Sequence, residues 1–98
     1  MVKHMIIWSL KEDLPNKEEV KAQIKEQLEG LVGRIDGLVE MHILTQGFAG
    51  SAGDLMMDSA FESKAALDAY QVHPLHQAIA NGTVCPNVCS RASFDYEI

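Results

Sequence analysis

The chain has 98 residues, of which 47% are hydrophobic and 22% charged. This composition is typical of a single globular domain, here residues 1–98, and excludes a disordered chain. The formal net charge of −6 argues against nucleic acid or an anionic membrane as the main partner, because both need a basic surface.

The first predicted element is a strand at residues 2–10, because VKHMIIWSL is rich in β-branched and aromatic side chains. Apolar residues occur on both of its faces, which is typical of a strand covered on both sides. Its apolar run from Met5 to Leu10 is too short for a signal peptide or a membrane span. We therefore expect a cytoplasmic protein, in which Cys85 and Cys89 do not form a structural disulfide.

Residues 16–35 change to a helical period. One stripe at i, i+4, i+8, i+11, i+12 and i+15 contains all their large apolar residues: Val20, Ile24, Leu28, Leu31, Val32 and Ile35. Asn16 followed by Glu19 is a variant of the capping box. The pattern predicts a long helix that begins at residue 16.

Two further strands are predicted at residues 37–46 and 54–62, joined by the glycine-rich loop GFAGSAG. Alternation places three apolar residues of the first strand on one face: Val39, Met41 and Ile43. It does the same for three residues of the second: Leu55, Met57 and Phe61.

The second half of the chain contains two short helices and a last strand. Ser63 is predicted to cap a helix that ends before Pro74, since the residue before a proline is disfavoured in a helical conformation. Pro74 suits the first position of another helix, which Asn81-Gly82 would end. Strict alternation predicts a strand at residues 91–98. The order β-α-β-β-α-β predicts an α+β, ferredoxin-like fold with an antiparallel sheet.

Helices can cover only one face of such a sheet, yet its strands have large apolar residues on both faces. An exposed apolar face of this kind marks an interaction surface. A homodimer in which two sheets pack face to face, forming an α/β barrel, is the simplest arrangement.

Three segments, VKHMIIWSLK, FESKAALDAYQVHPLHQ and SRASFDYEI, resemble the stress-responsive A/B (α/β) barrel domain family of the dimeric α/β-barrel superfamily. The resemblance covers nearly the whole chain and implies a ferredoxin-like subunit that dimerises through its sheet. The chain is also distantly similar to a plant branch with polyketide cyclase activity. That similarity implies a proton-handling pair formed by Tyr70 and His76, with His4 and His73 as ligand-binding histidines.

The residues around Pro74 can be interpreted in two ways. His76 falls in the first turn after Pro74, where the helix dipole favours the neutral imidazole that a general base requires. Tyr70 would then donate a hydrogen bond to a developing oxyanion. In the alternative, Tyr70 packs in the core, while His73 and His76 bond the backbone at the helix break.

The remaining candidates give weaker signals. No H-x-H or H-E-x-x-H pattern occurs, so we predict neither a metal ion nor a cofactor. His4 and His42 are expected to be buried and hydrogen-bonded. Trp8 would line a pocket for an apolar ligand or belong to the core or dimer interface. Cys85 and Cys89 are expected to be buried small hydrophobes without a functional role.

The sequence thus predicts a homodimer with a pocket for a small aromatic or polyketide-like molecule. As an enzyme, it would be a cofactor-free isomerase or cyclase that uses His76 and Tyr70. Two alternatives stay open: a non-catalytic stress-associated or ligand-binding protein, and a cofactor-independent monooxygenase suggested by fold analogy.

Overall fold

The computed structural model describes all residues, 1–98. Strands and helices follow the predicted order: β1 (Val2–Leu10), α1 (Lys17–Glu29), β2 (Leu38–Leu44), β3 (Leu55–Phe61), α2 (Lys64–Gln71), α3 (Pro74–Ile79) and β4 (Val88–Glu97). The strands form one antiparallel sheet in the order β2-β3-β1-β4. The ferredoxin-like α+β fold is therefore confirmed.

The sheet has one face under the helices and one without helices, which we call the open face. On the central strand β1, alternate side chains are buried under the helices: Val2, His4, Ile6, Trp8 and Leu10. The side chains between them, such as Met5 and Ile7, lie half-buried on the open face. None of the helices combines the length and apolar character that crossing a bilayer requires.

Helix α1 is shorter than predicted. Val20, Ile24 and Leu28 are buried as expected, but the helix ends at Glu29, and turns follow that contain Gly33 at φ +87°. The turns still bury Leu31 and Ile35, so the apolar stripe outlasts the helix. The capping-box prediction is wrong, because the Asn16 side chain makes no hydrogen bond at the helix start.

Strand β2 differs from the predicted alternation at its beginning. Leu38 is buried and Val39 exposed, the reverse of the expected order. The register with β3 shifts between Leu38 and Glu40, and such a bulge moves the preceding side chain to the other face. After the bulge, Met41 and Ile43 are buried as predicted.

The helices of the second half begin where predicted, but the last one continues differently. The Ser63 hydroxyl accepts the Ala66 N–H at 3.1 Å, and Pro74 is the first residue of α3. The predicted stop at Asn81-Gly82 is wrong: the chain continues through a π-helical turn (Ala80–Val84) and a 3₁₀ turn (Cys85–Asn87). Gly82 does not adopt the positive φ of a glycine that ends a helix.

Candidate functional site

A cavity of about 340 Å³ lies between the helix-covered face of the sheet and the segment from α2 to the 3₁₀ turn. Strands β1, β3 and β4 provide one wall: His4, Ile6, Trp8, Met57 and Arg91. Helices and turns provide the other: Leu28, Tyr70, Gln71, His76, Gln77, Ala80, Val84 and Cys85. A largely apolar wall with a few converging polar groups is the usual character of a small-molecule site.

Tyr70 combines a core position with an unsatisfied polar group. Its ring lies between Phe61 and His76, with centroid distances of 4.9 and 4.3 Å, and the residue is 1% exposed. Its hydroxyl has no hydrogen-bond partner within the protein, whereas buried tyrosine hydroxyls usually have one. Burial raises the pKa of Tyr70, against a smaller opposing effect of Arg91, so the phenol is protonated at neutral pH.

His76 reaches Tyr70 because the chain breaks at Pro74 and turns back over the end of α2. The His76 Nδ1 lies 3.2 Å from the Gln71 carbonyl oxygen. A carbonyl only accepts, so Nδ1 carries the proton and Nε2 is left as the basic nitrogen.

The ionisation of His76 agrees with that tautomer. Burial lowers the pKa of His76; the Gln71 carbonyl opposes this effect, and electrostatic interactions with His4, Arg91 and His73 reinforce it. The imidazole is therefore neutral at pH 7. The direction agrees with the sequence prediction, but burial and not the helix dipole is the main cause.

His4 lies on the wall of the cavity formed by the sheet, where it is buried and hydrogen-bonded as predicted. Its Nδ1 bonds to the carboxylate of Asp95, its register partner on β4. This contact fixes the orientation of the imidazole ring, as carboxylate partners do for functional histidines elsewhere. Trp8 is buried on the same strand and belongs both to the cavity lining and to the core.

Arg91 and Asp95 belong to the site and were not among the sequence candidates. Both lie on the helix-covered side of β4, because Arg91 pairs with Trp8 and Asp95 with His4. The alternation of residues 91–98 already places them on one face. That this face borders a cavity depends on the β1–β4 register, which the sequence pattern alone does not reveal.

Several predicted candidates lie outside the cavity or are more exposed than expected. His73 is not part of its lining: the His73 Nδ1 accepts the Leu75 N–H at 3.1 Å and caps α3. The expectation of a buried His42 is wrong, because His42 lies exposed beside Glu40 on the open face. Cys85 and Cys89 are also exposed, contrary to prediction, because Cys85 lies in the 3₁₀ turn and Cys89 at the start of the edge strand β4. Cys85 nevertheless belongs to the cavity lining. Nowhere do three metal-ligating side chains converge.

Comparisons with known proteins give a consistent result. The family model described as the stress responsive A/B barrel domain matches residues 2–98. A dimeric protein of unknown function with a ferredoxin-like fold, from Bacteroides fragilis, is 28% identical, with a TM-score of 0.90 over 99% of this chain and 95% of that chain. No curated protein matches significantly.

Two more distant structures show the same fold. A Dabb family protein from Mesorhizobium loti is 21% identical, with a TM-score of 0.77 over 99% of this chain and 95% of that one. A hydroxynitrile lyase from Passiflora edulis is 19% identical, with a TM-score of 0.79 over 99% of this chain and 92% of that one.

Proposed function

Because the chain belongs to the stress responsive A/B barrel domain family, we propose that its cavity binds a small, largely apolar molecule and catalyses a cofactor-free proton transfer on it. One observation carries this proposal: Tyr70, whose buried hydroxyl has no partner in the protein, packs its ring against the neutral imidazole of His76. The reaction class is isomerisation or aldol-type cyclisation of a carbonyl compound, with an aromatic or polyketide-like molecule as the expected substrate.

The roles follow from the protonation states. Nε2 of His76 takes a proton from the carbon next to a carbonyl group, and the C–H electron pair moves toward the carbonyl oxygen. The Tyr70 hydroxyl donates a hydrogen bond to the resulting enolate oxygen. In an isomerisation, the imidazolium returns its proton to another atom of the same molecule. In a cyclisation, the enolate carbon attacks a second carbonyl group, and the new alkoxide takes the proton.

The surroundings of the pair suit this chemistry. Ile6, Trp8 and Met57 give the cavity an apolar wall, beside which a hydrogen bond to an oxyanion is stronger than in water. The fold likeness to a hydroxynitrile lyase supports a catalytic role, since it shows that an enzyme can be built on this scaffold. Carriage of a ligand without catalysis is the alternative that the same cavity allows. The cytoplasmic location stays a prediction.

We further propose that two copies pair through their open faces. Phe94 is 71% and Leu44 52% exposed there, next to the half-buried side chains of Met5, Ile7 and Met56. A contiguous apolar surface of this kind is normally covered by a partner. The dimeric state of the protein from Bacteroides fragilis supports the same arrangement.

Deuterium exchange tests the catalytic proposal directly. β-Tetralone is a suitable probe, because it is aromatic and has acidic protons next to its carbonyl group. In D₂O at neutral pH we expect the native protein to accelerate exchange by about a hundredfold over His76→Gln, in line with the usual contribution of a general base. His42→Gln is the matched control, because His42 lies on the open face and should leave the rate unchanged.

Two results would contradict the proposal in different ways. Exchange by native protein no faster than in buffer would reject catalysis of this class. Amide chemical shifts that still change around Tyr70 and His76 would then favour the ligand-binding alternative. If His76→Gln exchanges as fast as native protein, another group is the base.

A further inference from the structure

Arg91 gives the cavity a charge that no ion pair of the protein compensates. Its side chain lines the cavity wall, and it takes part in none of the ion pairs of the chain. The Arg91 charge acts on both proton-handling groups, since it lowers the pKa of Tyr70 and of His76 as a secondary cause in each.

The lining contains no carboxylate that could pair with this guanidinium. None of the residues that line the cavity is an aspartate or a glutamate, although the chain has 14 of them. The nearest acid on the same face of β4 is Asp95, which is engaged by His4. The protein has a net charge of −6, whereas the lining of this cavity has a positive charge from Arg91 and no carboxylate.

Two residues of the cavity lining have hydrogen-bond donors without a partner in the protein, and they lie at different depths. The Tyr70 hydroxyl is buried, whereas Arg91 is exposed on the edge strand β4. Apolar side chains lie on the wall between them, notably Ile6 and Trp8. This arrangement matches a molecule with an oxygen at its inner end, an apolar body and a negative charge at its outer end.

We propose that the cavity selects a small organic monoanion, a carboxylate on an apolar body, whose charged end binds Arg91. The inference rests on the proposed function of the cavity as a ligand site and adds the chemical class of the ligand. A guanidinium binds a carboxylate through two parallel, charge-assisted hydrogen bonds, which a neutral ligand cannot match.

A matched pair of probes tests the inference, with the native protein and three variants. The probes are p-butylbenzoate and p-butylbenzamide, which have nearly the same shape and differ in charge. Dissociation constants come from calorimetric titration, and amide chemical shifts locate the bound probe. Arg91→Gln removes the charge and Arg91→Lys keeps it. Arg34→Gln is the control, because Arg34 is the only other arginine and lies outside the cavity lining.

We expect native protein to bind the benzoate about tenfold more tightly than the benzamide, since a hydrogen bond to a charged group contributes about that much at an exposed site. Arg91→Gln should abolish the difference by weakening only the benzoate. Arg91→Lys should retain part of it, and Arg34→Gln all of it. Added salt should weaken the benzoate alone.

The contrary outcomes separate this inference from the proposed function. Equal affinity of native protein for both probes, with shifts at Tyr70 and His76, would overturn the anion preference and leave the ligand site intact. An equal loss in Arg91→Gln and Arg34→Gln would also overturn it, because the effect would then come from net charge. If neither probe binds at the cavity, both the inference and the ligand site are rejected.

Discussion

The hydroxyl of Tyr70 illustrates how a single residue can serve two purposes. Its ring packs against Phe61 and stabilises the contact of α2 with the sheet. Its hydroxyl adds nothing to that packing, because it has no partner in the protein. Burying an unsatisfied polar group costs free energy, about 1–3 kcal/mol in typical cases, so the fold alone would be served as well by phenylalanine.

Tyr70→Phe should therefore separate stability from function. We expect its free energy of unfolding in urea to equal the native value or to exceed it by up to about 1 kcal/mol. The β-tetralone exchange rate should fall by about tenfold or more, because the oxyanion loses its donor. Tyr96→Phe, on the open face, is the control and should change neither quantity. A loss of stability in Tyr70→Phe would mean that the hydroxyl has a structural partner.

The pH dependence of exchange should reflect His76. Because the pKa of His76 is lowered, its basic form persists below the usual histidine value of about 6.5. We expect kcat/KM to be constant from neutral pH upward and to fall only in acid below that value. The raised pKa of Tyr70 predicts no loss up to about pH 10. An acid limb centred above 6.5 would contradict this assignment.

The same lowered pKa has a consequence for stability. The pKa of His76 is higher in the unfolded chain than in the folded chain. The contribution of His76 to the free energy of unfolding is therefore fully present above the pKa of the unfolded chain. It is lost as the pH falls through the folded value. Urea unfolding at pH 8 and pH 5 should show a larger loss for native protein than for His76→Gln. Equal losses would exclude His76 as a titrating group.

At the level of helices and strands, capping distinguishes two residues that look alike in the sequence. Ser63 and Asn16 both precede helices and both belong to favoured cap types. The Ser63 hydroxyl accepts the Ala66 N–H, whereas the Asn16 side chain makes no cap bond. Local sequence therefore predicts where each helix begins, but it does not predict which cap forms.

Ser63→Ala should lower the free energy of unfolding by about 1 kcal/mol, the usual loss for an N-cap. Asn16→Ala is the matched comparison. It should lower the free energy of unfolding by only a few tenths of the loss in Ser63→Ala, because no hydrogen bond is removed. Urea unfolding of the two variants measures the difference. Equal losses would show that the Asn16 side chain caps α1 in solution.

The helices and strands themselves were largely predictable, because hydrophobic periodicity and the residues that begin or end helices are local signals. The helical stripe from Val20 to Leu28 and the break at Pro74 are examples. The bulge before Glu40 and the continuation beyond Gly82 were not, since both depend on how the backbone pairs or packs with distant segments. The same reason explains the missed residues Arg91 and Asp95, whose place beside the cavity depends on the β1–β4 register.

At the scale of the whole molecule, our proposals give the two faces of the sheet different roles, ligand binding for one and dimerisation for the other. The helix-covered face holds the core and the cavity. The open face exposes Phe94, which lies opposite Met5 in the register of β1 and β4. A charged side chain at this position would be buried without a partner in a face-to-face dimer, which is strongly unfavourable.

Phe94→Asp should weaken the dimer on the order of a hundredfold. Sedimentation velocity over a range of concentrations measures the change. Val72→Asp is the control, because Val72 is 75% exposed at the end of α2, away from the open face, and should leave the dimer intact. A native protein that sediments as a monomer would reject the dimer itself. An unchanged dimer in Phe94→Asp would place the contact on another surface.

The alternation of β1 also has a consequence for how such a protein can diverge. Positions 4, 6 and 8 point toward the cavity, and positions 5 and 7 toward the open face. Point substitutions can therefore alter ligand preference and self-association independently, although both sets share one strand. A one-residue insertion or deletion in β1 cannot, because it would exchange the two sets at once. Within this strand, the two sets of residues can be substituted separately, but the length of the strand must be kept.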